Sequence, residues 1–135
     1  MKKSILIIGL VFIMLFTLAK AEYVPFKVKL NVFERIVILS LLPTETNYTN
    51  WKIINDIKNE LSLTEQEVVA CEIQVLEDGS GMTGKWDAVP EKEITFGEVT
   101  EKIVVDALKK LDAEGKLLVE HISLYEKFVV RDNTQ

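Results

Sequence analysis

Cys71 and His121 are the single thiol and the single imidazole of the chain. Cysteine–histidine chemistry would have to run through that pair, with an exposed thiol in an electropositive setting and the base within hydrogen-bond reach. Cys71 stands among Val68, Val69, Ala70 and Ile73, which reads as a small hydrophobe destined for the interior. His121, flanked by Glu120 and two residues from Ser123, reads as an exposed or singly hydrogen-bonded helix residue. One histidine and one cysteine cannot supply the four ligands of a structural zinc centre. Asp78-Gly79-Ser80-Gly81 lacks the alternating acids of a calcium loop. No catalytic residue, metal or cofactor is assigned.

Gly79, Gly81 and Gly84 repeat the glycine spacing of a dinucleotide-binding turn. That turn works only between a strand and the helix whose N-terminus holds the pyrophosphate. Lys85-Trp86-Asp87 continues as strand or loop instead, so the match carries no phosphate chemistry. Asn47-Tyr48-Thr49 is a glycan-acceptor triplet, meaningful only in a eukaryotic secretory pathway. Trp51 opens an amphipathic stretch and is expected in the core. Trp86 lies among Gly84, Lys85 and Asp87 and is expected to pack on a sheet, with an exposed contact as the alternative. Asp78, Lys85 and Trp86 are therefore the candidate binding residues, on the loop that runs from Asp78 to Trp86.

The elements that would position them follow from periodicity. Val28 and Leu30 alternate with lysines in a short strand. Phe33, Ile36, Val37, Ser40 and Leu41 recur at helical spacing in a nearly all-apolar stretch that Pro43 stops. Trp51, Ile54, Ile57 and Leu61 mark a second helix, and Thr64-Glu65-Gln66-Glu67 is a capping-box pattern opening a short third one. Cys71, Ile73 and Val75 alternate as a strand, Met82 to Trp86 returns as another, and Lys92 to Phe96 is expected in the same small antiparallel sheet. Val99, Ile103, Ala107 and Leu111 fall at intervals of four, supported by Val104 and Leu108, in a helix that Gly115 ends. Leu117, Leu118, Ile122, Tyr125 and Phe128 are expected to line a last helix, before a tail over residues 131–135. This predicts an α+β domain of about five helices with a small antiparallel sheet or hairpin. Three helices followed by a hairpin is a winged-helix-like order. The third helix holds Glu65 and Glu67 and no cation, which disfavours a DNA-reading role.

The first 21 residues stand apart. Lys2 and Lys3 precede a run from Ile5 to Leu18 without a charge, and Ala19-Lys20-Ala21 puts small residues where signal peptidase reads. A bilayer span usually takes about 20 apolar residues, so a cleaved signal peptide is preferred to a retained anchor. A buried core helix would show a polar face, and this segment has none. The expected layout is a leader over 1–21, one acidic domain over 22–130 and a tail. Taking the three leader lysines from 16 basic groups leaves 13 against 21 acids, a formal charge of −8. Lysines interleave with acids throughout, so no basic patch and no nucleic-acid partner are expected. The lone cysteine leaves stability to the apolar core.

Leu30-Asn31-Val32-Phe33-Glu34-Arg35, Leu41-Leu42-Pro43, Leu63-Thr64-Glu65-Gln66-Glu67, Ala107-Leu108-Lys109-Lys110-Leu111-Asp112 and Ser123-Leu124-Tyr125-Glu126-Lys127-Phe128 resemble stretches of small uncharacterised proteins of phages, prophages and bacteria. The resemblance spans most of the chain after the leader and brings no activity, cofactor or site residue with it. The reading is a non-enzymatic protein-interaction domain, secreted, periplasmic or membrane-anchored at the bacterial envelope, with an unidentified protein partner. It carries two alternatives. One is a small enzyme using Cys71 and His121; the other is an intracellular regulator with an N-terminal anchor.

Overall fold

The computed structural model describes residues 22–131; the leader and residues 132–135 lie outside it. The fold is α+β. It runs β1 (Phe26–Leu30), α1 (Val32–Leu41), α2 (Tyr48–Leu61), α3 (Glu65–Ala70), β2 (Gln74–Val75), β3 (Met82–Thr83), β4 (Lys92–Phe96), α4 (Glu98–Ala113) and α5 (Val119–Tyr125), which continues into a π-helical turn (Glu126–Val130).

The strands form two separate antiparallel pairs. β2 and β3 make a hairpin, while β4 pairs with β1, from Phe26 opposite Phe96 to Leu30 opposite Lys92. This corrects the expectation that β4 extends the hairpin sheet. The reason is packing: Phe26, Leu30, Ile94 and Phe96 are all buried, and only side by side do these residues form one floor for the helices. Phe128 closes that floor edge-on, its ring centroid 5.2 Å from those of both Phe26 and Phe96.

α1 lies over the floor. Asn31 caps it: its side chain accepts from the Glu34 amide at 2.8 Å, while Glu34 accepts from the Asn31 amide at 3.0 Å, a complete capping box. Pro43 follows the helix end, as expected. At Gly115, φ of +66° permits the left-handed C-terminal cap of α4, with Lys116 N–H to Leu111 C=O at 2.8 Å. The buried stripe of α4 is Thr100, Val104 and Leu108, so the supporting Val104 and Leu108 are buried while the row Val99, Ile103, Ala107 and Leu111 lies one residue to the side. Val99 is exposed and the other three are half-buried. The helix packs against α1, α2, β4, α5 and the π-helical turn, and buries that stripe among them. The last helix is rotated likewise: Leu124, Phe128 and Val129 are buried, whereas Leu118 and Ile122 face solvent. Trp51, expected in the core, is 54% exposed, while α2 buries Ile54, Ile57 and Leu61.

Two charged residues lie inside this frame. Arg35 on α1 is 1% exposed. It donates to the carbonyls of Leu61 at 3.1 Å and Ser62 at 2.6 Å, and pairs with Glu67 on α3. The end of a helix leaves its last carbonyls without intrahelical donors. Arg35 supplies donors for α2 and holds α3 with the same guanidinium. Glu67 serves Thr64 and Arg35 together: Thr64 Oγ1 accepts from the Glu67 amide at 3.1 Å and donates to the Glu67 carboxylate at 3.3 Å, while the same carboxylate pairs with Arg35. Glu34, also buried, receives Lys127 Nζ at 2.8 Å, which fastens the C-terminal helix to α1.

Candidate interaction surface

No residue between 62 and 93 belongs to the main hydrophobic cluster or packs directly against it. Segment 62–91, which precedes β4, is held by contacts to the body and within itself, and three of them shape the arm. The first is the Arg35–Glu67 pair. Next comes Cys71, fully buried at the end of α3. Its carbonyl accepts from the Lys85 amide at 2.6 Å, which draws the far limb of the hairpin onto α3. Last is Trp86, whose ring lies 4.9 Å from Phe33 of α1 at 30°. Trp86 is half-buried and packs on a helix rather than on a sheet.

α3 ends abruptly because Glu72 takes φ +49°, a left-handed conformation that costs a non-glycine residue energy. The Ile73 amide bonds the Val68 carbonyl at 3.2 Å and the Glu72 amide bonds Val69 at 3.1 Å, the Schellman pattern also found at Gly115. The reversal launches the hairpin. At its tip Asp78 accepts from the Ser80 amide at 3.0 Å and hydroxyl at 2.7 Å, and Gly79 supplies φ +70°. The Ser80 hydroxyl and amide hold the Asp78 carboxyl below its usual range. Asp78 is therefore first a turn-building residue.

Cross-strand partners share a face. Gln74 sits opposite Thr83, on the side where Glu72 and Lys85 form an exposed 3.0 Å ion pair. Val75 sits opposite Met82 on the other side. Those two are 65% and 45% exposed, Leu76 is 43% exposed, and Val68 and Val69 on α3 are also uncovered. Val75 and Met82 thus share one exposed face of the hairpin, which the core does not use, and Leu76 is exposed beside the turn, its amide bonded to the Gly81 carbonyl. Glu77, Asp78 and Asp87 fringe it with negative charge. Of the three candidate binding residues, Asp78 stays exposed at the tip, Lys85 is exposed but ion-paired, and Trp86 is committed to Phe33. Val75 and Met82, expected only as strand residues, and Leu76 next to Val75 are exposed.

Cys71 and His121 are not joined by any hydrogen bond among the described residues. The thiol has no exposure, and His121 Nδ1 accepts from the Leu118 amide at 2.9 Å, capping the first turn of α5. Among the described residues no three His, Cys, Asp or Glu gather as a metal site. A groove of about 440 Å³ between α2, β4 and the start of α4 is lined by residues that include Asp56, Glu60, Thr95 and Thr100. No helix of the described residues is long and apolar enough to cross a membrane. No family model, no curated protein and no solved structure matches the chain.

Proposed function

We propose that the protein is a non-enzymatic interaction domain of the bacterial envelope, presenting the apolar face of its β-hairpin to a protein partner. One observation carries this reading: Val75, Leu76 and Met82 are exposed on an arm that contributes nothing to the main core. Exposing apolar side chains together is unfavourable in water unless a partner covers them. The acidic fringe suits a partner whose contact surface is apolar at its centre and cationic around it. The charge-free run before Ala21 supports export, with release after cleavage or retention as an anchor. An accessory role at the envelope, such as exclusion of other phages, belongs to the same proposal.

A photo-crosslinking amino acid at Met82 tests the interaction, with one at Lys109 on exposed α4 as control. Envelope fractions should give one discrete adduct from position 82, and Leu76→Glu should abolish it without lowering thermal stability. Equal labelling from both positions would remove the basis for the hairpin as a docking face. Intact mass by cell fraction tests the location: a chain starting at Glu22 in periplasm or medium fits export, whereas full-length protein in the cytosol contradicts it.

A further inference from the structure

Two sulfur atoms occur among the described residues, and the fold treats them in opposite ways. The Cys71 thiol is fully buried at the end of α3. Met82 on β3 is 45% exposed, opposite Val75 on the uncovered face of the hairpin. The other two methionines, Met1 and Met14, lie outside the described residues. A thioether reacts with an oxidant from its neutral form, so Met82 needs only exposure, whereas a thiol needs both exposure and ionisation.

We propose that Met82 is an oxidation site that switches the hairpin face off: hypochlorous acid converts it to the sulfoxide, and the partner is released. This rests on the docking role given to that face above. The sulfur lone pair attacks the chlorine of hypochlorous acid, and the Cl–O bond breaks with loss of hydroxide. Water then displaces chloride from the sulfur and gives up two protons, one of which neutralises the hydroxide. The thioether loses two electrons, and hypochlorous acid is reduced to chloride. The product is polar where the thioether was apolar, and its oxygen is an acceptor that asks for a donor. Val75 and Leu76 have no side-chain donor, and Glu77, Asp78 and Asp87 are themselves acceptors when ionised. Lys85 is paired with Glu72 on the opposite side of the hairpin. Covering that oxygen with an apolar partner surface therefore costs binding. The fold itself is spared, because Met82 lies outside the main hydrophobic cluster. A dithiol reductase reverses the step, removing the oxygen as water while its thiols become a disulfide.

Peptide mass spectrometry on purified protein treated with one equivalent of hypochlorous acid tests the chemistry. Oxygen should appear on Met82, with Cys71 still a thiol and the melting temperature unchanged. A photo-crosslinking amino acid at Val75, in envelope fractions, tests the switch. Oxidation should lower the partner adduct at least tenfold, and methionine sulfoxide reductase should restore it. Met82→Leu, whatever yield it starts from, should keep that yield through the same treatment. Oxidation of Cys71 ahead of Met82, an adduct that survives complete sulfoxide formation, or a loss that Met82→Leu shares would overturn the switch and leave the docking face standing. No adduct from untreated protein would remove the docking face itself, and the switch with it.

Discussion

Replacing Arg35 by methionine keeps most of the side chain's length and volume but removes its donors and its charge. The Leu61 and Ser62 carbonyls then lose the bonds they make at 3.1 and 2.6 Å, and Glu67 loses its cation. Unsatisfied buried carbonyls cost about 1–3 kcal/mol, and removing one member of a buried ion pair costs about 3–5 kcal/mol. The Glu67 side chain is 19% exposed and can turn to water or to the Thr64 amide, so the lower part of that range, about 3 kcal/mol, is expected. For a domain of this size that lowers Tm by roughly 12 °C, at about 4 °C per kcal/mol. Glu67→Gln keeps a hydrogen-bond acceptor and should cost about 1–2 kcal/mol. Urea denaturation is the assay, because guanidinium would screen the pair.

The pH dependence gives a separate handle on the same pair. Burial pushes the Glu67 carboxyl up, but the hydrogen bond and charge of Arg35, with the Thr64 contacts, outweigh it and hold the group below its usual 4.5. A depressed folded-state value means the unfolded chain protonates first as pH falls, so the pair's contribution is full above 4.5 and fades below it. The stability gap between wild type and Glu67→Gln should stay flat from neutral pH to about 5 and close beneath 4.5. An Arg35→Met loss under about 1 kcal/mol, or a gap that does not close in acid, would refute the reasoning.

Glu72→Gly should stabilise the domain by about 0.5–1 kcal/mol in urea denaturation, because glycine accepts φ +49° freely and the lost ion pair with Lys85 is exposed. Gly84→Ala should do the opposite and quench or shift Trp86 emission: a methyl group there would lie 2.7 Å from the indole ring, forcing it off Phe33. Burial and the hydrogen bond to Glu101 push the Tyr23 hydroxyl up to about 12 from 10.0. Its folded value is raised, so this contact stabilises below pH 10 and is lost as pH climbs towards 12. Spectrophotometric titration should show a late tyrosinate step that Tyr23→Phe deletes.

Individual residues show where sequence reasoning reached and where it stopped. Cys71 was legible as a buried hydrophobe because its neighbours are apolar, and Pro43 and Gly115 mark helix ends because their backbone chemistry is local. Trp51 was misplaced because periodicity identifies a helix face without showing where the opposing surface ends. His121 was legible as a singly bonded residue, but not as the acceptor for Leu118, which depends on where α5 begins. The exposed apolar face of the hairpin was missed for a related reason. Alternation shows that Val75 has a side of its own; only the rest of the fold shows that nothing covers it.

The amino-acid sequence by itself determined the α+β class, the order of helices and hairpin, the helix-stopping turns and the absence of a recognisable catalytic motif. These follow from interactions within a few residues: side-chain periodicity, caps and left-handed turns. Tertiary structure alone decided the β1–β4 pairing, the rotation of α4 and α5, and the burial of Arg35 and Glu34. Each of these joins residues far apart in the chain. Their energy comes from desolvation and charge pairing at contacts that exist only once the core has closed.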